Sequence, residues 1–185
     1  MKRILVFGLL LLALSGCTVV TNVTRSDEPG IYDSRSEPAK PKLTTTDAEW
    51  KGKLTEDQYH ILREEGTEPA FHNAYFDKHD AGDYYCAACG QKLFSSKEKF
   101  DSGTGWPSFT APVKESAVLY REDDSFGERT KVLCSNCGGH LGHVFDDGPK
   151  PTGKRFCMNS GALKFVASAP GEEWQAGDKG QRNKP

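Results

Sequence analysis

Residues 140–165 read HLGHVFDDGPKPTGKRFCMNSGALKF, and the rest of the chain is organised around this stretch. Apolar runs at residues 144–145, 155–158 and 162–166 are short and bounded by turn-forming residues, a pattern typical of strands rather than helices. Two aspartates, a glycine and two prolines in residues 146–151 predict a tight turn, in which the aspartates serve as turn formers. The stretch therefore predicts β-structure.

The same stretch carries a cluster of reactive side chains. Arg155, Cys157 and Asn159 alternate along one predicted strand, and an extended backbone places alternate residues on one face. His140 and His143 come before the turn, three residues apart. A plain core strand is filled by valine and isoleucine, so this combination of residue types indicates an active site.

The remaining sequence favours a mainly β domain. Three further strands are predicted at residues 84–85, 113–120 and 130–133. One helix is clear, at residues 55–65, because Thr55 and Gln58 form a capping-box pattern and Gly66 is placed to end it. The predicted fold is mainly antiparallel β with a short helical cap on its N-terminal side.

The composition is that of a soluble globular protein with one domain. Of the 185 residues, 36% are hydrophobic and 27% are charged. The net charge of -2 gives no electrostatic reason to expect a nucleic-acid partner. We expect a monomer.

The N-terminus has the pattern of a targeting segment. Two basic residues precede a leucine-rich run at residues 4–14, which is too short for a stable membrane span. The sequence that ends this run resembles a bacterial lipoprotein signal, in which Cys17 is acylated; an ordinary secretory signal is the alternative. The residue after Cys17 is Thr18 and not aspartate, which favours the outer membrane for such a lipoprotein. The protein is therefore predicted to lie in the cell envelope, anchored by lipid and facing the periplasm. The predicted divisions are a signal peptide at residues 1–16, a flexible polar tether at 17–45, the folded domain at 46–169 and a polar tail at 170–185.

Two CxxCG knuckles predict a metal site. They are CAACG at residues 86–90 and CSNCG at residues 134–138. Two residues between thiolates let both sulfurs face one ion, and four such sulfurs form a closed tetrahedral zinc site with no position open to substrate. One structural zinc ion is therefore predicted, with the ligands Cys86, Cys89, Cys134 and Cys137. The alternatives are two redox-active CxxC pairs or disulfides between the knuckles.

Cys157 is then the cysteine without an assigned partner. A lone cysteine in an apolar segment is commonly a small buried residue. The polar neighbours His143 and Arg155 favour a reactive thiol instead. The histidines could also be surface residues or zinc ligands, but four cysteines already complete a zinc shell.

GTGWPSF at residues 103–109, the stretch at residues 140–165 and the two knuckles are together similar to the motifs of the B-type methionine sulfoxide reductases. The resemblance covers about residues 50–166. It implies two antiparallel sheets and an enzyme that reduces the R epimer of methionine sulfoxide in proteins. A zinc-stabilised β domain that binds without catalysis is the alternative function.

The resemblance implies a catalytic role for four residues. Cys157 attacks the sulfoxide sulfur, and the thiolate is the reacting form. His143 and His140 lie at the positions that face the sulfoxide oxygen, which must be protonated to leave. Asn159 helps to orient the histidines.

Trp106 and Arg155 complete the implied site as substrate-binding residues. Trp106 forms the wall for the substrate methyl group, and Arg155 is the electrostatic partner of the thiolate. Lowering a thiol pKa from about 8.5 to about 7 raises its net reactivity only about threefold, because nucleophilicity falls, whereas general acid catalysis typically contributes about 10²–10⁴-fold. We therefore predict that His143→Ala loses more activity than Arg155→Ala.

Thr104 marks a departure from the family pattern. Many members have a second cysteine there, as GCGWPSF, which forms a disulfide with the nucleophile. Without it, Cys157 is left as a sulfenic acid with no thiol partner in the chain, because the other cysteines bind zinc or lipid. We expect the reductant to be a thioredoxin-like envelope protein or a small thiol.

Overall fold

A computed structural model describes residues 40–123, 125, 127 and 129–169. The helices in these ranges are α1 (Asp47–Lys51) and α2 (Glu56–Arg63). The strands are β1 (Gly82–Cys86), β2 (Lys92–Ser95), β3 (Lys99–Phe100), β4 (Ser108–Phe109), β5 (Val118–Asp123), β6 (Arg129–Cys134), β7 (His140–Phe145), β8 (Arg155–Met158) and β9 (Leu163–Ala167). Neither helix is long and apolar enough to cross a membrane.

The strands form two antiparallel sheets, as the family resemblance implies. The smaller sheet has the order β2-β1-β9, and the larger has the order β3-β4-β8-β7-β6-β5. Every pairing within them is antiparallel. The prediction of a mainly β fold with short helices is confirmed.

An aromatic layer joins the two sheets. Phe94 of the smaller sheet stacks on Phe109 of the larger one, with ring centroids 4.5 Å apart. Tyr84 meets the same Phe109 ring edge-on at 5.0 Å, and Phe156 lies 5.9 Å from Phe94. All four side chains are buried, and burial of each contributes about 1.5–3 kcal/mol. This layer fixes one face of β8.

Helix α2 forms for the reason predicted from the sequence. The Thr55 side chain accepts the Gln58 N–H, and the Gln58 side chain accepts the Thr55 N–H, which completes the capping box. The helix ends at Arg63, two residues earlier than predicted. Glu65, rather than Gly66, takes the left-handed conformation, with φ of 60°.

Helix α1 was not predicted, although it has a similar signal. Thr46 and Glu49 form a second capping box, and Trp50 is the buried residue of this five-residue helix. Five residues are too few to display the 3.6-residue periodicity on which helix prediction depends. Just before it, at the end of the predicted tether, the Leu43 N–H donates to the Asn136 carbonyl at 2.7 Å.

The strand predictions differ from the structure mainly where the segments are shortest. Residues 115–117 form a 3-10 turn, so β5 begins later than the predicted run and extends beyond it. The two-residue strands β3 and β4 and the four-residue β2 were missed. Pairing across the sheet defines such strands, and two residues carry no alternation of their own.

Part of the predicted organisation lies outside the described residues. This applies to the signal peptide, to the tether before residue 40, to the polar tail and to Cys17. Their assignments therefore stay predictions.

Candidate active site

Cys157 lies near the middle of the larger sheet. It is on β8, with His143 of β7 in register on one side and Ser108 of β4 on the other. Residues directly opposite each other in an antiparallel pair point to the same face. Phe156 and Met158, its neighbours in sequence, are buried in the core. Cys157 and His143 therefore project together from the face turned away from the aromatic layer.

The thiol of Cys157 is partly buried beside two polar side chains. Thr104 Oγ1 lies 4.0 Å from the Cys157 sulfur. Burial raises the pKa of the Cys157 thiol above its ordinary value, and the positive charge of Arg155 and the Thr104 hydroxyl offset only part of this effect. The direction is opposite to the lowered pKa considered from the sequence. At neutral pH the resting group is the neutral thiol.

Arg155 is held by a carboxylate. Its Nε and Nη2 donate to the two carboxylate oxygens of Asp147 at 2.8 and 2.9 Å, and its guanidinium lies 4.3 Å from the centre of the Phe145 ring. The Asp147 hydrogen bonds raise the pKa of Arg155. Asp147, expected from the sequence to be a turn former rather than a catalytic residue, also anchors Arg155 through its side chain. The ion pair explains why Arg155 influences the thiol only in part.

His143 is bound to a buried carboxylate. Its Nε2 lies 2.8 Å from Asp123 Oδ2, and Asp123 also accepts from Arg129 at 2.8 Å and Lys131 at 3.5 Å. Hydrogen bonds from Ser125 and then from His143 hold the pKa of Asp123 well below its ordinary range. An ionised carboxylate only accepts hydrogen bonds, so the His143 Nε2 carries the proton. Nδ1 is then the nitrogen that can exchange a proton with a substrate.

His140 is in a different electrostatic state from His143. It is 1% exposed, and its Nδ1 lies 3.3 Å from the Ile61 carbonyl, to which it donates. Burial lowers the pKa of His140 to about 4. Burial also lowers the pKa of His143, but its hydrogen bond to Asp123 opposes the change. The centroids of the two rings are 5.4 Å apart. His140 is therefore a neutral neighbour of His143, which is the histidine better able to carry a proton.

Trp106 and Asn159 are connected through Glu68. The Trp106 indole N–H donates to the Glu68 carbonyl at 3.0 Å, and the Glu68 N–H donates to Asn159 Oδ1 at 3.2 Å. The Asn159 amide donates to the Leu141 carbonyl of β7 at 3.2 Å. The Glu68 carboxylate accepts backbone N–H groups at residues 160 and 161. One short segment thereby sets the positions of the indole and of the amide.

The structure brings together the six residues predicted for the catalytic and substrate-binding site. Four lie on β7 and β8, namely His140, His143, Arg155 and Cys157. Asn159 directly follows β8, and Trp106 is joined to Asn159 through the backbone of Glu68. Sequence reasoning missed Asp123 and Glu68. Both lie among other charged or turn residues, and no local pattern shows that Asp123 is buried.

The four knuckle cysteines form one cluster, as predicted. The sulfurs of Cys86 and Cys137 are 3.7 Å apart, those of Cys89 and Cys134 are 3.6 Å apart, and all four lie within 4.8 Å of one another. Tetrahedral zinc with Zn–S bonds of about 2.3 Å requires sulfurs about 3.8 Å apart. The donor set and spacing therefore fit one metal ion held by all four residues.

The backbone of each knuckle is shaped by its glycine. Gly90 and Gly138 have φ of 73° and 72°, a conformation that residues with a side chain rarely adopt. Each donates its N–H to the carbonyl of the first cysteine of its knuckle, at 2.9 and 2.8 Å. Because one knuckle follows β1 and the other follows β6, the cluster connects the two sheets.

Comparison with known proteins places these features in a family. A family model described as "SelR domain" matches residues 54–167. The chain is 57% identical over 125 residues to the peptide methionine sulfoxide reductase MsrB of Leptospira interrogans. The match covers 67% of this chain and 95% of that protein. It is 58% identical over 121 residues to the MsrB of Thiobacillus denitrificans, covering 65% of this chain and 92% of that protein. It is 52% identical over 137 residues to the MsrB of Methanosarcina barkeri, and the match covers 73% of this chain and 96% of that protein.

Proposed function

The chain belongs to the SelR-domain family of MsrB peptide methionine sulfoxide reductases, and from this premise we propose that it reduces the R epimer of methionine sulfoxide in proteins with Cys157 as nucleophile. The observation that carries the assignment is the register of β7 and β8. It places Cys157 beside His143 on one face of the sheet. A thiol and a proton-carrying histidine side by side are what an oxygen-transfer reaction from a sulfoxide needs.

In the first step the Cys157 sulfur attacks the sulfoxide sulfur. This attack forms a sulfur–sulfur bond. The sulfur–oxygen bond of the substrate and the new sulfur–sulfur bond then break, the oxygen ends on Cys157 as a sulfenic acid, and methionine is released. The thiol proton is retained in the Cys–SOH product, so the step is balanced. The Trp106 indole, fixed by its hydrogen bond to Glu68, is the surface on which the substrate methyl group rests.

The developing charge on the sulfoxide oxygen is neutralised by His143. Its Nε2 is committed to Asp123, which supports the imidazolium form and leaves Nδ1 for the substrate. His140, with a pKa of about 4, is neutral at physiological pH and serves as a hydrogen-bond partner of the site. Asn159 holds β7 and β8 together at this point through the Leu141 carbonyl.

Cys157 is regenerated by an external thiol. The other cysteines in the described part of the chain are the four of the cluster, and Thr104 stands next to the nucleophile with a hydroxyl. Two thiols reduce the sulfenic acid to the Cys157 thiol and leave as a disulfide and water. A thioredoxin-like protein or a small thiol supplies them. Mass spectrometry after one turnover tests this step, and an internal disulfide that includes Cys157 would contradict it.

The metal held by the four cysteines is zinc with a structural role. A closed four-sulfur shell stabilises the fold and offers no position to substrate. Residues Cys86, Cys89, Cys134 and Cys137 would hold it, and no chemical step involves it. Elemental analysis of the purified protein should find one zinc per chain. A metal-free protein whose CxxC pairs convert reversibly between dithiol and disulfide would favour the redox-pair alternative.

The protein is anchored in the cell envelope by lipid on Cys17. The support is the order of basic, apolar and small residues that ends at this cysteine. Detergent-phase partitioning and mass spectrometry of the N-terminal peptide test the anchor. A Cys17→Ser variant whose mature mass differs from wild type only by the exchange of sulfur for oxygen, and which partitions identically, would rule it out.

The central experiment uses the two separated epimers of a methionine sulfoxide peptide with dithiothreitol. The protein should reduce the R epimer and leave the S epimer, and Cys157→Ser should have no activity on either. Thermal unfolding of Cys157→Ser serves as the folding control. Reduction of neither epimer by the zinc-loaded wild-type protein would remove the reductase assignment and favour a binding role.

A further inference from the structure

Phe71 is the most exposed large hydrophobic residue in the described part of the chain. The residue is 54% exposed, compared with 47% for Val166 and 42% for Leu43. Its backbone is also unusual, with φ of 62° in a residue that is not glycine. Bulky side chains rarely occupy this left-handed region, and a strained residue of this kind persists only where its surroundings hold it.

The loop before β4 holds Phe71 in this conformation. The Phe71 N–H donates to the Gly105 carbonyl at 2.9 Å, and Asn73 Nδ2 donates to the same oxygen at 2.7 Å. A Cβ at Gly105 would lie 2.7 Å from the Phe71 ring, so the ring packs directly on this glycine. Phe76 meets the Phe71 ring edge-on at 5.9 Å. The structure therefore presents an aromatic ring to solvent in a fixed orientation.

The position of this ring is next to the active site. Gly105 lies between Thr104, whose hydroxyl is 4.0 Å from the Cys157 sulfur, and Trp106. Only three bonds separate the Cα and the sulfur of a methionine. When a sulfoxide sulfur reaches Cys157, the polypeptide on either side of it therefore lies close to the loop that carries Thr104 and Gly105, against which Phe71 packs.

We propose that Phe71 is a docking surface for an apolar side chain adjacent to the methionine sulfoxide in a locally unfolded polypeptide. The inference rests on the proposed function and adds a determinant of substrate choice. Its occupant is the substrate chain itself, because the ring is continuous with the loop that carries Trp106. An extended chain can place a neighbouring leucine or phenylalanine on the ring, whereas a folded surface cannot enter so closely.

Three substrates in the R configuration test this role, with dithiothreitol as reductant. They are N-acetylmethionine sulfoxide and two acetylated pentapeptides that carry the sulfoxide in the middle, flanked by leucines or by serines. Covering about half of the exposed surface of Phe71 removes on the order of 50 Å2 of apolar surface, which corresponds to about an eightfold change in affinity. We expect Phe71→Ala to raise KM for the leucine peptide by about five- to tenfold and to leave kcat unchanged.

Two further variants separate docking from a disturbed loop. Phe71→Asn removes the ring but keeps a residue type that tolerates positive φ, and it should behave as Phe71→Ala does. Val166→Ala removes an exposed apolar side chain on β9 and should retain the wild-type preference for the leucine peptide. For both Phe71 variants, kcat/KM with the serine peptide and with N-acetylmethionine sulfoxide should stay within about twofold of wild type.

Three results would overturn the docking role. The first is a Phe71→Asn variant that retains the full preference for leucine. The second is a wild-type protein that has no such preference, and the third is an equal loss on all three substrates in both Phe71 variants. A wild-type protein that reduces none of the three substrates would instead overturn the proposed function.

Discussion

Replacing Asp123 by asparagine tests whether a buried carboxylate supports His143 in its proposed role as proton donor. The substitution keeps the size of the side chain and one acceptor oxygen but removes the negative charge. His143 then loses the partner that opposes the effect of burial on its pKa. Arg129 and Lys131, which also lower the pKa of His143, stay in place. The His143 pKa should therefore fall further, and the imidazolium form should become rarer at any given pH.

The size of the effect follows from the hydrogen bond that is weakened. The His143 Nε2 and Asp123 Oδ2 are 2.8 Å apart in a buried setting. A hydrogen bond to a charged group contributes about 1.5–3 kcal/mol, which corresponds to about a 10- to 100-fold change in rate. General acid catalysis as a whole contributes about 10²–10⁴-fold. The Asp123→Asn variant should lose 10- to 100-fold, and the loss should grow as the pH rises.

Single-turnover kinetics with enzyme in excess over an R-sulfoxide peptide measure the chemical step without reductant recycling. Arg129→Met is the matched control, because it removes another partner of Asp123 but shifts the His143 pKa upward, opposite to the shift expected for Asp123→Asn. It should lower the unfolding midpoint but leave the rate within about threefold. In the His143→Ala background, Asp123→Asn should slow the reaction by less than about twofold, since both residues act through one imidazole. An equal loss in both backgrounds would refute the coupling.

Other consequences can be measured independently. Arg155→Ala should lose less single-turnover activity than His143→Ala, because the charge of Arg155 is shared with a carboxylate. His140 has a folded pKa of about 4, below its unfolded value of 6.5, so its contribution to stability is complete above about pH 6.5 and is lost as the pH falls toward 4. Urea unfolding between these limits should lose about 1.4 kcal/mol per pH unit from this group, up to about 3 kcal/mol in total, and His140→Asn should show a shallower slope. Removal of the metal with a chelator under reducing conditions should abolish cooperative unfolding followed by circular dichroism. Thr55→Ala should lower the free energy of unfolding by about 1 kcal/mol in urea titrations, because the cap of α2 is lost.

Local patterns predicted the elements that carry their own signal. The capping box of Thr55 and the short apolar runs around β6, β8 and β9 correspond to observed elements. The strands β3 and β4 were missed because only their pairing with other strands makes them extended. A residue such as Ser108 becomes part of the sheet through its position opposite Cys157, and no single segment contains that information.

The candidate site shows the same division. Cys157 and His143 stand out in the sequence because reactive residue types interrupt a strand pattern. Asp123 contacts His143, which is 20 positions away in the chain, and Glu68 contacts Asn159, which is 91 positions away. Such partners become known only in the folded structure. Burial of the Cys157 thiol is also a tertiary property, and it reversed the direction of the pKa expected from its arginine neighbour.

A thiol pKa above the ordinary value is compatible with catalysis, because the loss of thiolate is partly offset by the higher nucleophilicity of the thiolate that remains. An ordinary thiol with a pKa of about 8.5 is about 3% ionised at pH 7, and Cys157 is ionised less than this. Each unit of increase in pKa reduces the thiolate tenfold but raises its nucleophilicity about threefold, so the net loss is only about 3.5-fold. Proton donation to the sulfoxide oxygen contributes orders of magnitude more. The arrangement of His143 and Asp123 therefore outweighs the state of the resting thiol. A mostly neutral thiol also reacts slowly with oxidants that bring no oxygen atom within reach of the histidine. Slow oxidation suits Cys157, because its neighbour Thr104 offers a hydroxyl and not a second thiol.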